Sequence, residues 1–370
     1  MQRQPIHTVY GGAHLFKPDI AAKFGAIALE TLRRYAAAPE SLGVSEEVYQ
    51  RVVRKLEREP VEDYRIDFED GYGIRSDAEE DQHAISAART IRAKSQGLPP
   101  FLGIRIKPLT EASRARSVRT LKLFLETLGD IPLNFVVTLP KVTEPAQVGE
   151  LARLLEPNGP KLELMIETPQ AIFAIPQLLD AAEGRCRGLH FGPYDYTASC
   201  GIVAEHQSIT HQACDFARNV MQVSTAGREV MLSDGPTNIL PIAKSGNVRE
   251  ALRLHFDNVQ RALKNGFYQG WDLHPAQLPA RYAAVYDFFW QSFESAAVRL
   301  RNFIEQSKRA TLVGGVFDDA ATGEGLVNFF RRGVACGAFS EEDLARASDG
   351  QIQHSERGRG DDHADSRHNA

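Results

Sequence analysis

The sequence predicts an α/β protein, a (β/α)8 TIM barrel with a C-terminal helical extension. Three observations carry this. Eight short runs rich in β-branched and aromatic residues are each bounded by polar or Gly/Pro clusters. Helical stretches separate them, and strands that alternate with helices pair in parallel, because parallel neighbours need a crossover. No G-x-G-x-x-G follows an early strand, which favours a closed barrel of eight units over an open dinucleotide-binding sheet.

In order, the runs are HTVYGG at 7–12, YRIDFED at 64–70, FLGIRIKP at 101–108 and NFVVTLPK at 134–141. LELMIET at 162–168, GLHFGPYD at 188–195, EVMLSDGP at 229–236 and GFYQGWDLHP at 266–275 complete the set. The first connection, 13–63, is long enough for two helices, near 18–37 and 45–58. Residues 77–94 open with acids and close with Arg and Lys, which suits both ends of a helix dipole. Residues 111–128 set Leu121, Phe124, Leu125 and Leu128 at helical spacing, and Pro145 suits the first turn of a helix over 145–155. A stripe of Tyr282, Val285, Tyr286, Phe289, Phe293, Ala297, Leu300 and Ile304 marks a helix over 278–308. Its apolar surface asks for a partner, so a homo-oligomer is expected. A Gly-rich break at 313–325, a helical stretch at 326–347 and a tail without core-forming residues follow. The expected domains are 1–310 for the barrel, 311–348 for the helical extension and 349–370 for a disordered tail.

Composition narrows the function. The 370 residues include 43 Lys plus Arg against 48 Asp plus Glu, a formal charge of −5, which argues against a nucleic-acid partner. No apolar run approaches the roughly 18 residues that span a bilayer, so no membrane partner is expected. The opening MQRQPIHTVY has no apolar segment of a secretory signal, and a cytoplasmic location is expected. Cys186, Cys200, Cys214 and Cys336 form no C-x-x-C pair and read as reduced, small buried residues.

The ends of the runs are where barrel chemistry gathers, and here they are polar. They carry Asp67, Glu69 and Asp70; Arg105 and Lys107; Lys141; Glu167; Asp195; Ser233 and Asp234; and Asp272 with His274. Each has a plain alternative. Thr168 could cap a helix starting at Pro169, Asp195 could be a cap or turn residue, and Asp70-Gly71 is a common turn dipeptide. Together they suggest more. Carboxylates ending two neighbouring strands stand about 4.8 Å apart, close enough to share one hard divalent cation. Beside Arg105 and Lys141, such an ion suits an anionic ligand with a carboxylate and an adjacent carbonyl, and would stabilise an enolate.

The strings IDFEDG, IRIKP, LPK, LMIETP, LHFGPYDYTASCG and LHPAQ, in that order, resemble the citrate lyase β-subunit and HpcH/HpaI aldolase superfamily, as a divergent subfamily. The resemblance spans roughly residues 60–280. It implies a (β/α)8 barrel that performs Mg2+-assisted carbon–carbon cleavage, or its reverse, on a 2-oxo or 2-hydroxy acid or its CoA thioester. By that resemblance Glu167 and Asp195 are the metal ligands, with Mn2+ able to replace Mg2+. Arg105 binds the carboxylate or oxyanion, and Glu69 and Asp70 act with it as catalytic residues that orient water. Lys141, Gly192 and Pro193 complete the substrate contacts. An acid of a neighbouring subunit often completes such sites, which makes Asp318 and Asp319 candidates. Asp70, Asp272, His274 and an acid near Asp318 are the candidates for proton transfer.

Two departures stand out. Acyl-CoA users commonly begin with R-S-x-L-x-x-P, whereas this chain has HTVYGGAHLF, and its eighth run reads QGWDLHP. Arg114, Arg116 and Arg119 could contact a phosphate or form a solvated helix face. Two rival readings remain: a Schiff-base aldolase using Lys141 or Lys107, and a barrel that binds a metabolite without turnover.

Overall fold

The computed structural model describes residues 3–93, 97–155, 159–313 and 320–348. Its eight parallel strands are β1 (His7–Gly12), β2 (Asp63–Asp67), β3 (Phe101–Arg105) and β4 (Phe135–Leu139), then β5 (Lys161–Ile166), β6 (Cys186–Phe191), β7 (Met231–Ser233) and β8 (Gly270–Asp272). They pair in sequence order from β1 to β7, with β8 against β1. Ser233 bridges to Gln269, and Asp234 N–H donates to the Gln269 carbonyl at 2.9 Å, so the ring closes between β7 and β8. The chain forms the (β/α)8 barrel that its strand and helix alternation predicts.

The long first connection holds α1 (Ile20–Tyr35) and α2 (Glu46–Arg58). Between later strands lie α3 (Asp77–Arg92), α4 (Arg114–Leu128), α5 (Pro145–Leu154), α6 (Pro169–Ala181), α7 (Pro193–Ser199), α8 (Gln212–Thr225) and α9 (Val248–Lys264). Their starts are written locally. Ser76 and Glu79 form a reciprocal capping box on α3, and Pro145 opens α5. The Gly11-Gly12 pair in β1 is a packing device: a Cβ on Gly11 would run into the Tyr64 hydroxyl, and one on Gly12 into the Gly71 carbonyl.

The strands are shorter than the runs that announce them. Glu69, Asp70, Lys141 and Glu167 sit in the loops just beyond β2, β4 and β5. Asp195 is a correction: β6 stops at Phe191, Pro193 opens α7, and Asp195 lies in that helix's first turn rather than at a strand end. Proline cannot donate to a ladder but suits the start of a helix.

Gln4–Val285 form one compact unit, and the chain from Tyr286 onward a second. The division falls inside α10 (Leu278–Val313), upstream of the 310/311 boundary that the Gly-rich break suggests. In the second unit α11 (Ala320–Ala335) and α12 (Glu341–Ala347) replace the single helical stretch expected over 326–347. Gly337, at φ 83°, takes the left-handed turn that separates them. Phe289 and Phe293 pack against Phe329, Phe330 and Phe339, and Trp290 Nε1 donates to the Ala338 carbonyl at 2.8 Å. Phe289 and Phe293 of the 278–308 stripe, read as surface for a second subunit, are thus covered within the unit. Asp318, Asp319 and the 349–370 tail lie outside the described residues. Among those described, no helix is long and apolar enough to cross a membrane. Cys186, Cys214 and Cys336 are buried as expected, while Cys200 is exposed.

Candidate active site

Glu167 follows β5 directly and is 1% exposed. Its neighbour Thr168 does cap α6, accepting from Ala171 N at 3.1 Å, so the cap and the carboxylate coexist at successive positions. Glu167 Oε1 accepts the main-chain N–H of Lys141 at 2.6 Å. That amide is aimed by a left-handed backbone, with Lys141 at φ 49°, a conformation a non-glycine residue adopts under constraint. On the other side stands Gly192, where a Cβ would lie 2.6 Å from both Cβ and Oε2 of Glu167. Glycine is required there by the carboxylate itself.

The Lys141 ammonium reaches a different set of oxygens. Nζ lies 3.2 Å from Glu69 Oε1, 3.5 Å from Asp70 Oδ2 and 3.2 Å from Asp195 Oδ2. Arg105 joins the same group from β3. Its Nε and one Nη grip both oxygens of Asp67 at 2.7 and 2.6 Å, and the other Nη lies 3.2 Å from Glu69 Oε2 and 3.8 Å from Asp70 Oδ2. The guanidinium packs on the rings of Tyr10 and Trp271, at 4.8 and 5.7 Å. The residues that the resemblance assigns to metal, substrate and water (Glu69, Asp70, Arg105, Lys141, Glu167, Gly192, Pro193 and Asp195) therefore meet at the C-terminal ends of β2 to β6.

Electrostatics in this cluster are lopsided. Among the described residues, Arg105 and Lys141 are the cations set against Asp67, Glu69, Asp70, Glu167 and Asp195. Burial pushes the Glu167 carboxyl up to about 7; Lys141 pulls it down and Asp195 pushes it further up. Burial also raises Glu69, against the pull of Arg105. For Asp70, burial is outweighed by its hydrogen bond with Glu69 and by Arg105 and Lys141, which hold it low. Burial works against the Lys141 charge too, but Glu167, Glu69, Asp70 and Asp195 together hold that ammonium above its ordinary range.

Other nominated residues serve the scaffold. Asp272 is fully buried, bound by Arg281 through two nitrogens and by His255 and His7 at 3.0 and 3.3 Å. Burial opposes its charge, yet Arg281 and the two histidines hold it well below the carboxylate range. Its two oxygens are thus taken up by the scaffold. His274 caps the turn at 275–277, with Nδ1 accepting from Ala276 N at 3.1 Å. Lys107 is spent on the Phe68 carbonyl and Glu80, at 2.6 and 2.8 Å. Asp234 is bound to Arg218 at 2.9 Å. Arg116 and Arg119 form ion pairs with Asp81, and Arg114 with Glu150 at 2.6 Å; Arg114 and Arg119 are exposed, so this is the solvated helix face of the plainer reading, with its arginines paired to acids. Tyr10 and Trp271, which pack on Arg105, were absent from the nominated set, and Asp67, noted among the polar strand ends, had been given no role.

The donor set can be tested against a hard divalent ion. Among the described residues no three Asp, Glu, His or Cys side chains converge to hold an ion by themselves. Mg2+ ordinarily takes one or two carboxylates and completes its shell with water and substrate. Glu167 and Asp195 are all-oxygen donors, and Glu167 is a buried carboxylate with too little positive charge around it. The residues fit that ion.

These features define a (β/α)8 barrel with an acidic cluster around two cations at the C-terminal end of its strands. Residues 1–357 match the family described as "Domain of unknown function (DUF6986)", and the chain belongs to that family. No curated protein matches it in sequence. Among solved structures, CitE of Mycobacterium tuberculosis, in complex with magnesium, acetoacetate and coenzyme A, is 16% identical with a TM-score of 0.55. That match covers 90% of this chain and 98% of CitE, and shows a shared fold. RipC from Yersinia pestis matches at 19% identity and TM-score 0.49, over 76% of this chain and 95% of its own. The M. tuberculosis citrate lyase beta subunit complexed with oxaloacetate and magnesium matches at 17% and 0.48, over 76% and 96%.

Proposed function

We propose that this protein is a Mg2+-dependent aldolase-type carbon–carbon lyase acting on a 2-oxo or 2-hydroxy acid. The observation that carries the reading is the buried, under-neutralised carboxylate of Glu167 in one cluster with Asp195, Lys141 and Arg105. Glu167, whose carboxylate the Lys141 N–H anchors, and Asp195 would hold the ion. When bound, Mg2+ supplies Lewis-acid polarisation of the substrate's carbonyl oxygen. Arg105, fixed edge-on by Asp67, keeps guanidinium protons for a substrate carboxylate or developing oxyanion. Lys141 adds a second positive charge, positioned by Glu69, Asp70 and Asp195. Glu69 and Asp70 also present oxygens that can orient water. Gly192 keeps the wall beside Glu167 free of side-chain bulk, and Pro193 opens the helix that carries Asp195.

CitE, whose fold this chain shares, was solved with magnesium, acetoacetate and coenzyme A, which supports a small oxo acid as the ligand class. A CoA thioester draws less support, because Arg114, Arg116 and Arg119 are committed to acids of the scaffold. The Schiff-base alternative at Lys141 needs a depressed pKa, whereas its acidic neighbours raise it.

Deuterium exchange into the methyl group of pyruvate, followed by NMR with and without Mg2+, tests the reading. Metal-dependent exchange that EDTA abolishes is expected. Binding of several 2-oxo acids without exchange would identify a metabolite-binding barrel instead.

A further inference from the structure

A hydroxyl, an imidazole and a carboxylate from three strands line up inside the barrel next to Arg105. Tyr10 of β1 holds its ring against the Arg105 guanidinium, 4.8 Å away, and beside Trp271. Its hydroxyl lies 3.0 Å from His190 Nδ1 on β6, and His190 Nε2 lies 3.3 Å from Glu163 Oε2 on β5. β1 and β6 are not neighbours in the ring, so this contact crosses the interior. An ionised Glu163 can only accept, which places the His190 proton on Nε2 and leaves Nδ1 to accept from Tyr10. Glu163 is fixed in turn by Arg65, at 2.7 and 3.1 Å, and by Thr138 at 3.2 Å. Arg65 pairs with Asp63, which accepts from the Thr8 hydroxyl at 2.7 Å.

Barrel interiors are usually filled by Val, Ile and Leu. An ionised network there carries a desolvation cost that apolar packing would avoid, so stability does not explain it. Of Tyr10, His190, Glu163 and Arg65, Tyr10 alone is partly exposed, and the other three are buried. The network therefore has one reactive end, and that end touches the arginine of the site.

We propose that Tyr10 is the acid–base group of this site, with His190 and Glu163 as its proton relay, a step that rests on the lyase reading above. In cleavage of a 4-hydroxy-2-oxo acid, the 4-hydroxyl loses its proton as the C3–C4 bond breaks. C4 leaves as a carbonyl compound, and the electron pair of the broken bond becomes the enolate of the remaining 2-oxo acid. Tyr10 Oη accepts the hydroxyl proton while its own proton passes to His190 Nδ1, and Glu163 offsets the imidazolium charge. The reverse transfer delivers a proton to C3, so His190 ends neutral and no outside oxidant, reductant or base is consumed. Burial holds the Tyr10 hydroxyl above its ordinary range, against Arg65, which keeps it a neutral donor between turnovers.

Tyr10→Phe tests this, since it keeps the ring against Arg105 and removes only the hydroxyl. With Mg2+ present, kcat for cleavage of 4-hydroxy-2-oxopentanoate and the rate of pyruvate methyl exchange should each fall about 100-fold or more, with KM nearly unchanged. Without any turnover, 15N NMR of the wild type should show His190 Nδ1 unprotonated, and that signal should move in Tyr10→Phe. Should Tyr10→Phe misfold, His190→Gln carries the same kcat expectation. Rates within about 5-fold of wild type in the folded variant, or a His190 protonated on Nδ1, would overturn the relay and leave the lyase reading standing. A wild type that neither cleaves nor exchanges any 2-oxo acid would overturn both.

Discussion

Lys141 and Glu167 are joined through the backbone: the Lys141 amide donates to Glu167 Oε1 at 2.6 Å, while the ammonium serves Glu69, Asp70 and Asp195. One residue thus fixes the buried carboxylate of Glu167 with its main chain and, with its side chain, gathers the exposed Asp70 and Asp195 with the largely buried Glu69. The left-handed backbone at Lys141 is what lets both happen at once.

Gly192 is the other constraint on Glu167. A methyl group at 192 would sit 2.6 Å from the carboxylate's Oε2 and push it away. Gly192→Ala should weaken Mg2+ binding about 10- to 100-fold, as loss of support for a metal ligand does, while the circular dichroism spectrum stays native. Titration calorimetry on the purified variant checks this.

Lys141 should not form a Schiff base. Its acidic neighbours hold it protonated, and a protonated amine is no nucleophile. Borohydride added with pyruvate should leave the mass of the peptide containing Lys141 unchanged. A reduced adduct at that position would reverse the mechanistic assignment.

Arg105 and Asp67 should prove coupled in stability. Both are buried, and the pair is bidentate. Removing either partner strands a charge, so Arg105→Ala or Asp67→Ala should cost about 3–5 kcal/mol in urea unfolding. The double variant should cost less than the sum of the two.

His255 should make the barrel acid-sensitive near neutrality. Burial keeps it below its ordinary value of 6.5, against the pull of Asp272. As pH falls through 6.5, the unfolded chain takes up a proton at this position and the folded chain does not. The contribution is therefore present above 6.5 and is lost with falling pH. The Tm of wild type between pH 8 and 5.5 should drop more than that of a folded His255→Gln variant. Equal drops would show that His255 is not the sensor.

Much of this site was legible because barrel chemistry gathers at strand ends, and those ends carry short, recognisable polar strings. Glu69, Asp70, Arg105, Lys141, Glu167 and Asp195 come together for that reason. What could not be read depends on partners distant in sequence. Asp272 looks like one more catalytic acid until His7, His255 and Arg281 are seen around it. Arg116 and Arg119 look free until α3 brings Asp81 beside them. Tyr10 and His190, 180 residues apart, meet only because the sheet closes on itself. Asp195 was misplaced by local chemistry, since F-G-P-Y-D continues a strand-like run although Pro193 begins a helix.

Calorimetric titration of the metal-free protein with Mg2+ in the presence of oxaloacetate, on wild type, Glu167→Gln and Asp195→Asn, probes the central claim most directly. The wild type should bind a single ion per chain, and each substitution should weaken that binding about 10-fold or more. A wild type that takes up no Mg2+, or variants that bind it as tightly as the wild type, would contradict the account.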